Sequence, residues 1–224
     1  MDAKNFAYDL VIIGGGSAGL TAVDFAVKLG VRVALLEAYK IGGDCTWTGC
    51  IPSKTLLSVA KTAHQVRRAS RYGLGLPEPE IDFPAVMGHV RNVVNGIYEE
   101  ESPQVLRTQG IDVHLGNFQF RDPHTLVNGE IEVKTKKIII ATGARLHLPQ
   151  IEGVADLVYL TYENIWELDR QPESLLILGA GMVGVELGQA FQRLGSQVKL
   201  VEAKPQILPQ IDEQWATELS ENLS

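Results

Sequence analysis

The sequence contains no long apolar run and no cluster of positive charge. None of its apolar stretches approaches the roughly 20 residues that a helix needs to cross a bilayer. The N-terminal residues 1–6 have no basic flank followed by an apolar segment and a small-residue cleavage site, so we expect no secretory signal. The formal net charge of −7 is spread along the chain, which argues against nucleic acid and membrane surfaces as partners. These absences predict a cytoplasmic protein.

Cysteine is scarce, since only Cys45 and Cys50 occur among the 224 residues. A secreted scaffold would spread several cysteine pairs along a short chain. A purely structural disulfide here would close a very small loop, which gains the least chain entropy. A metal site needs about four ligands, but there is no third cysteine, and we interpret the nearest histidine, His64, as a surface residue. We therefore expect the pair to perform chemistry, with inert core thiols as the alternative.

Composition is that of an ordinary folded chain, with 45% hydrophobic and 21% charged residues, and the length suits one large or two modest domains. The apolar run Tyr8–Ile13 leads directly into Gly14-Gly-Gly-Ser-Ala-Gly19. Helical spacing over residues 20–29 is followed by a second apolar run, residues 31–36, which ends in Glu37. Strand, glycine turn, helix and strand in this order predict a βαβ unit.

The glycine spacing in this turn is the one that a dinucleotide pyrophosphate requires. Gly14 allows the tight turn, Gly16 lets the backbone approach phosphate, and Gly19 lets the helix pack closely on the strand. Backbone N–H groups at the helix N-terminus bind the anion, and Glu37 is placed to bind a ribose hydroxyl. An ordinary turn without a ligand is the alternative, but the strands, helix and carboxylate together favour a nucleotide.

A second βαβ unit repeats the pattern about 165 residues later. Residues 175–178 are the predicted strand, Gly179-Ala-Gly-Met-Val-Gly184 the turn, 185–194 the helix, and 198–201 a strand that ends in Glu202. An acidic side chain at this place accepts bonds from a 2′-hydroxyl and repels a 2′-phosphate, which favours NAD over NADP. Two nearby lysines weaken that discrimination, and a merely solvated Glu202 is the alternative.

The remaining residues predict helices and short strands. A helix over residues 46–71 is interrupted near Pro52, and a helix over 84–109 is broken near Pro103. A last helix covers residues 212–224. The β-like runs are residues 111–115, 118–120, 125–127, 131–134 and 137–141.

The stretch Gly42-Gly-Asp-Cys45-Thr-Trp-Thr-Gly-Cys50-Ile-Pro-Ser-Lys54 holds both thiols near a predicted helix N-terminus, with a lysine close by. Such surroundings stabilise thiolates, and the thiolate is the species that attacks disulfides. With this stretch the chain resembles the pyridine nucleotide-disulfide oxidoreductases, such as dihydrolipoamide dehydrogenase, mercuric reductase and glutathione reductase. The other matching motifs, in the family's order, are the Gly14–Gly19 turn, Ala141-Thr-Gly143 and Gly179-x-Gly-x-x-Gly-x-Glu186.

The resemblance implies an α/β fold with two Rossmann-like dinucleotide-binding units. Residues 1–150 would form an FAD-binding domain with an inserted small β-meander, and residues 151–224 would begin an NAD(P)-binding domain. The residues implied to bind FAD are Gly14, Gly16, Ser17, Ala18, Gly19, Glu37, Gly43, Asp44, Lys54, Gly116, Ala141, Thr142 and Gly143. The residues expected to bind NAD are Gly179, Gly181, Met182, Val183, Gly184 and Glu202. No metal site is expected.

The resemblance also implies a role for each catalytic residue. Cys50 would be the thiol that faces the flavin, and Cys45 the interchange thiol that meets substrate. Lys54 and Glu186 match an ion pair near flavin N5, where an ammonium stabilises the negative charge of the reduced ring.

The implied reaction passes hydride from NAD(P)H through flavin to a Cys45–Cys50 disulfide and on to a small-molecule disulfide, or runs in reverse as in dihydrolipoamide-type enzymes. A mercuric ion reductase, with a metal ion as acceptor, is one alternative. A flavin-binding fragment with an idle dithiol is another. The family implies a homodimer.

The chain departs from the family pattern in two respects. Thr46-Trp-Thr-Gly49 stands between the cysteines, where related branches carry Val-Asn-Val-Gly or Leu-Asn-Val-Gly. Trp47 either alters access to Cys45 or packs into the domain core, and the residues leave both readings open. Family members also continue past residue 224 into a dimerisation domain that supplies a His–Glu couple. We therefore expect a truncated chain with a weakened FAD site and little turnover alone.

Overall fold

The computed structural model describes residues 6–129 and 131–223, which contain eight strands and seven α-helices. They fall into two units, unit 1 within residues 1–49 and 94–159 and unit 2 within residues 50–93 and 160–224. Residues 1–5, where the expectation about a secretory signal falls, and residue 224, where the last predicted helix ends, lie outside the described residues. No helix within the described ranges is both long and apolar enough to span a bilayer. The domain division at residue 150 stays a prediction.

Unit 1 is built on a mixed six-stranded sheet. Its strands are β1 (Tyr8–Ile13), β2 (Val33–Glu37), β3 (Asp112–Leu115), β4 (Gln119–Asp122), β5 (Thr125–Asn128) and β6 (Ile131–Ile140). They lie in the order β3-β2-β1-β6-β5-β4. The first four strands in this order are parallel, and the β4–β5–β6 pairs are antiparallel. The predicted α/β architecture with its β-meander is confirmed.

Strand β6 belongs to both the parallel and the antiparallel part of the sheet. Its residues 131–134 pair with β5, and its residues from Thr135 onward pair with β1. The sequence predicted two separate runs here, which is wrong. Two exposed lysines, Lys136 and Lys137, interrupt the apolar pattern, but the backbone hydrogen bonds that define a strand continue past them.

Both faces of the unit 1 sheet are covered. Helix α1 (Ser17–Lys28) buries Gly19, Val23 and Ala26, which lie on one helical face because their spacing is four and three residues. This face packs on the sheet beside Leu35. The opposite face packs against the meander. The buried residues of that second cluster are Val11, Ala34, Leu36, Leu126 and Val133.

Unit 2 contains the second predicted βαβ unit. Strand β7 (Ser174–Leu178) is followed by a helix, here α6 (Met182–Leu194), and by the parallel strand β8 (Gln197–Val201). A long helix, α3 (Cys50–Arg68), packs against α6, and the Phe83 and Phe191 rings meet in the core between them and their neighbours. The remaining helices of the chain are α2 (Gly43–Trp47), α4 (Phe83–Glu100), α5 (Pro103–Thr108) and α7 (Glu213–Leu223).

The helix predicted over residues 46–71 breaks at a different place from the one expected. Helix α2 ends at Trp47 and α3 begins at Cys50, so the break falls at Thr48 and Gly49. Pro52 does not interrupt α3, because it lies in the first turn, where a missing N–H leaves no hydrogen bond unmade. The break near Pro103 is confirmed, since α4 ends at Glu100 and α5 begins at the proline.

Candidate functional site

The backbone around the first glycine turn is packed so closely that Gly14 and Gly19 leave no room for a side chain. Gly14 adopts φ +106°, and a Cβ there would overlap the carbonyl oxygen of Ala141. A Cβ on Gly19 would overlap the Gly14 carbonyl oxygen, so helix α1 could not lie this close to β1. These are the tight turn and the close helix–strand contact that a dinucleotide-binding turn requires.

The Glu37 carboxylate is held in place by the backbone on both sides. Its Oε2 accepts a 2.6 Å hydrogen bond from the Gly15 N–H, and its Oε1 accepts a 2.9 Å bond from the Tyr39 N–H. The side chain is half-buried. Each oxygen keeps a lone pair, which leaves the carboxylate able to accept hydroxyl groups of a ribose.

The unit 1 residues implied to bind FAD lie around the carboxyl edge of the parallel strands, whereas Lys54 lies in unit 2. The Gly14 N–H donates to the Leu36 carbonyl, the Ala141 N–H to the Ile13 carbonyl, and the Gly116 N–H to the Glu37 carbonyl, each at 2.8 Å. These bonds bring the ends of β1, β2, β3 and β6 together, with Thr142 and Gly143 following Ala141. Ligands of open α/β sheets bind at this edge.

The N-terminus of α1 has room for an anion. No side chain caps it, and its first turn carries no carboxylate. Ser17 and Ala18 in that turn are exposed, so the N–H groups that a helix start leaves unpaired can bind phosphate oxygens. The turn, the glutamate and the helix start therefore fit the FAD pyrophosphate and ribose.

The segment that carries the first cysteine is fastened to this turn. The Gly42 N–H donates to the Gly15 carbonyl at 2.8 Å, and a Cβ on Gly43 would lie 2.7 Å from the Cα of Gly16. Gly43 begins α2, in which Asp44 is exposed and Cys45 is half-buried. The first thiol is thus two residues from a backbone contact with the glycine turn.

Cys50 is the first residue of α3 and is exposed. Cys45 and Cys50 are not joined by a disulfide bond in this structure. The Ser53 hydroxyl donates to the Cys50 carbonyl at 3.4 Å. A helix N-terminus favours negative charge, which suits a thiolate at this place.

Lys54 and Glu186 form the ion pair that the resemblance implies. The Lys54 Nζ donates to both carboxylate oxygens of Glu186, at 2.7 and 2.8 Å. The pair joins α3 to α6 within unit 2, and both side chains are partly exposed.

The second glycine turn repeats two features of the first, the close helix–strand contact and the glutamate held by the backbone. A Cβ on Gly184 would overlap the Gly179 carbonyl oxygen. Glu202 Oε2 accepts from the Ala180 N–H at 2.8 Å, and its Oε1 accepts from the Lys204 N–H at 2.9 Å. The bonds from Lys204 and Ala180 hold the pKa of Glu202 below its ordinary value, so the carboxylate stays charged.

The start of α6 is open in the same way as that of α1. It has no capping side chain and no carboxylate in its first turn. Met182 and Val183 are exposed there, and a Cβ on Gly181 would have nothing within 4 Å. The NAD residues predicted from the sequence therefore surround a helix start that can accept a pyrophosphate.

His64 is partly exposed on α3, with its Nε2 3.3 Å from the Arg68 guanidinium. Burial and the nearby charges of Arg193 and Arg68 lower the pKa of His64. No group of three or more His, Cys, Asp or Glu side chains in the described residues is arranged to hold a metal ion.

Sequence reasoning missed the side chains that contact the dithiol segment from a distance. Tyr98 packs on the Trp47 ring, and Glu101 accepts a bond from Thr46. Both lie more than fifty residues from their partners, and no local pattern marks them. A groove of about 710 Å³ in unit 2 contains none of the predicted site residues. Its lining is Glu80, Ile81, Asp82, Phe83, Pro84, Asp169, Arg170 and Gln171.

Comparisons with known proteins indicate a single protein family. The family model described as "Pyridine nucleotide-disulphide oxidoreductase" matches residues 8–224. A mercuric reductase from Bacillus cereus is 32% identical over all of this chain and 35% of its own length. A dihydrolipoyl dehydrogenase from Acholeplasma laidlawii is 33% identical over 92% of this chain and 62% of its own. The chain thus spans between about a third and two thirds of these relatives.

Solved structures agree with this. The HOCl-induced flavoprotein disulfide reductase RclA from Escherichia coli aligns with a TM-score of 0.78 and 32% identity, over 96% of this chain and 47% of that one. Its Cu(II) complex aligns with a TM-score of 0.80.

Proposed function

The chain belongs to the pyridine nucleotide-disulphide oxidoreductases, and from this premise we propose that the whole protein transfers electrons between NAD(P)H and a small acceptor through FAD and a Cys45–Cys50 dithiol. The observation that carries the proposal is the contact of Gly42 and Gly43 with the first glycine turn, which ties the thiol segment to the candidate FAD site. A homodimer and a cytoplasmic location belong to the same proposal.

FAD is proposed to lie at the carboxyl edge of the unit 1 sheet. The exposed start of α1 would bind its pyrophosphate, Glu37 its ribose, and residues 141–143 with Gly116 would close the site. Bound there, FAD supplies a two-electron carrier between nicotinamide and a disulfide. Lys54, whose ammonium is held by Glu186, is proposed as the cation that stabilises negative charge on the reduced ring.

Nicotinamide nucleotide is proposed to bind at the second glycine turn. The anchored, charged Glu202 would accept the 2′-hydroxyl of the adenosine ribose and repel a 2′-phosphate. NADH is therefore the proposed donor in preference to NADPH.

The proposed chemistry of the dithiol is thiol exchange. The Cys45 thiolate attacks one sulfur of an acceptor disulfide, so that a mixed disulfide forms, the acceptor S–S bond breaks, and the departing sulfur takes a proton. The Cys50 thiolate then attacks the Cys45 sulfur, which releases the second acceptor thiol and leaves the Cys45–Cys50 disulfide. The dihydrolipoamide-type reaction is the same sequence in reverse.

A metal ion is the second candidate acceptor. Mercuric reductases are among the similar proteins, and one similar structure is described as a Cu(II) complex. Cys45 and Cys50 would then present two soft sulfur ligands to the ion. Steady-state rates with lipoamide, glutathione disulfide, Hg(II) and Cu(II) separate these acceptors.

The test of the proposal is spectroscopic, on the full-length FAD-loaded protein. Anaerobic addition of two electrons is expected to give a long-wavelength charge-transfer band from the Cys50 thiolate to the oxidised flavin. Cys50→Ser should abolish the band while FAD stays bound. Cys45→Ser, in which no Cys45–Cys50 disulfide can form, should show the band before any electrons are added, because its Cys50 thiolate lies beside flavin that is still oxidised. Bound FAD with no such band in the wild type would overturn the proposal and favour an idle dithiol.

A further inference from the structure

Helix α2, which carries Cys45, is too short to be stable by itself. Helix α2 has only five residues, and isolated helices of fewer than about 12 residues are marginal in water. Gly42 (φ +109°) precedes it, Gly43 (φ +57°) is its first residue, and Gly49 follows it. Glycine is the residue that restricts the backbone least, so the position of the Cys45 thiol depends on side-chain contacts in addition to the backbone contacts of Gly42 and Gly43 with the first turn.

Those contacts come from the two residues that follow Cys45. Thr46 is 4% exposed, and its hydroxyl lies 3.4 Å from a carboxylate oxygen of Glu101. The Trp47 indole N–H donates a 2.8 Å hydrogen bond to the Ile41 carbonyl, which crosses back over the start of the helix. One bond thus fixes the segment before α2 to its last residue.

The Trp47 ring is also held from two other directions. The Tyr98 ring centroid lies 5.0 Å away at a tilt of 54°, and the Lys40 Nζ lies 3.2 Å from the Trp47 ring centroid. Partial burial lowers the pKa of Lys40 below its ordinary value, which agrees with an ammonium that lies against an aromatic face. Every one of these contacts lies within unit 1.

We propose that Trp47, held by Lys40, Tyr98 and the Ile41 carbonyl, is a positioning residue that sets the orientation and accessibility of the Cys45 thiol. These contacts together are the Trp47 clamp. The inference rests on the proposed function, in which Cys45 is the thiol that meets the acceptor. It also combines the two readings of Trp47, because the indole packs against its neighbours and controls Cys45 through that packing.

The clamp acts through the population of one ordered conformation of α2. Losing contacts worth about 1 to 2 kcal/mol changes the ratio of the ordered to the loosened conformation of α2 by about 5-fold to 30-fold. A loosened helix exposes the half-buried thiol more often, but it presents that thiol in the productive direction less often. Alkylation of Cys45 should therefore become faster, while turnover with the acceptor becomes slower.

The experiment uses the reduced, full-length, FAD-loaded protein. Iodoacetamide labelling of Cys45 is followed by fragment-ion mass spectrometry of the peptide that contains it, alongside kcat and KM for NADH and acceptor. Trp47→Ala is expected to label about 10-fold faster, since it removes the whole clamp. Its kcat should fall by a similar factor with the KM for NADH unchanged.

Milder substitutions test the same contacts in proteins that are less disturbed than Trp47→Ala. Trp47→Phe retains the ring contacts and loses the indole hydrogen bond, so it should fall between wild type and Trp47→Ala. Lys40→Met should label faster than wild type, and Lys40→Arg should restore the wild-type rate because it keeps a cation over the ring.

Two other tryptophans supply matched controls. The Trp166 indole also donates to a backbone carbonyl, that of Tyr162 at 2.7 Å, but it lies in the unit 2 core. Trp215 is 62% exposed on α7. Trp166→Phe and Trp215→Phe should leave Cys45 labelling unchanged.

Two outcomes would overturn the clamp: a wild-type labelling rate in Trp47→Ala, or an equal rate increase in Trp166→Phe, which would indicate general loosening. Neither depends on turnover. If the wild type lacks the charge-transfer band, the proposed function fails, while the labelling rates still report on the clamp.

Discussion

Glu37 ends β2 and Glu202 directly follows β8, and the two carboxylates are held in the same way. Each Oε2 accepts from a glycine-turn N–H 22 residues earlier, and each Oε1 from an N–H two residues later. A carboxylate fixed by two backbone bonds presents its remaining lone pairs in one direction. Such an orientation is what selective binding of a ribose hydroxyl requires.

Glu202→Gln tests this arrangement by removing the charge and keeping the size. We expect a loss of about tenfold or more in kcat/KM for NADH, the usual scale for a hydrogen bond to a charged group, and a smaller loss for NADPH. Because the pKa of Glu202 is lowered, its carboxylate stays charged and the wild-type preference should be constant between about pH 6 and 8. Glu173→Gln, at an exposed carboxyl, is the control, and an unchanged NADH-to-NADPH ratio in Glu202→Gln would contradict the assignment.

Asp9 joins three adjacent strands of unit 1. Its carboxylate pairs with the Arg32 guanidinium at 3.0 Å and with the Lys136 ammonium at 2.7 Å, at the start of the parallel strands. Hydrogen bonds from Arg32 and Lys136 hold the pKa of Asp9 well below its usual range.

Stability should therefore depend on pH through Asp9. A lowered folded-state pKa means that its contribution is present above the unfolded value near 3.8 and is lost as the pH falls toward the folded value. In urea unfolding at neutral pH, Asp9→Asn should have a lower free energy of unfolding than wild type. The difference between the two proteins should disappear in acid. Asp24→Asn, which removes only an exposed pair with Lys28, should show a smaller gap. A gap for Asp9→Asn that persists in strong acid would contradict this account.

At the scale of elements, the break between α2 and α3 depends on one residue without a side chain. A Cβ on Gly49 would lie 2.8 Å from the Asp44 carbonyl oxygen and 3.4 Å from the Cys45 Cα. The turn that follows α2 can lie this close to the helix only because Gly49 leaves that space open. The same turn separates the two thiols along the chain.

Gly49→Ala should therefore lower the free energy of unfolding by about 1 to 3 kcal/mol, the usual cost of overpacking. Gly96→Ala is the matched control, since Gly96 lies within α4 and a Cβ there has nothing within 4 Å. The control should be neutral or stabilising by up to about 1 kcal/mol, because alanine is the better helix former. Equal effects of the two changes in denaturant unfolding would refute the steric argument.

At the scale of the whole molecule, the two sheets differ in how well they are covered. The unit 1 sheet has six strands with a buried cluster on each face. The unit 2 sheet has two strands, and Leu176, Leu178 and Val201 on it are 50 to 65% exposed. A two-stranded sheet is marginal without further cover.

Hydrogen exchange of the 224-residue chain should reflect this difference. We expect backbone amides of β1, β2 and the parallel part of β6 to exchange slowest, near the rate of global unfolding, and those of β7 and β8 to exchange faster through local opening. Mass spectrometry of the peptides that cover these strands measures both. Equal protection of the two sheets would contradict the expected ranking.

Much of the candidate site could be predicted from local spacing. Gly14, Gly16 and Gly19, with a carboxylate ending the next strand, define a nucleotide turn because all of its parts lie within 24 residues. The extent of β6 and the break at Gly49 could not be predicted in the same way. In β6, two lysines interrupt the apolar pattern although the backbone pairing is continuous. Pro52 suggested a helix break, but the actual break depends on the steric fit of Gly49, which exists only in the folded protein.

Local sequence specifies the two glycine turns, the glutamates that follow them and the spacing of the thiols, because each is a pattern between near neighbours whose geometry follows from backbone rules. Which distant side chains meet these patterns depends on the tertiary structure: Tyr98 and Glu101 lie at the Cys45 helix, and the six-stranded order brings the end of β3 beside the end of β2. Contacts between residues far apart in the chain depend on how whole elements pack, and packing is a property of all the residues together rather than of any short segment.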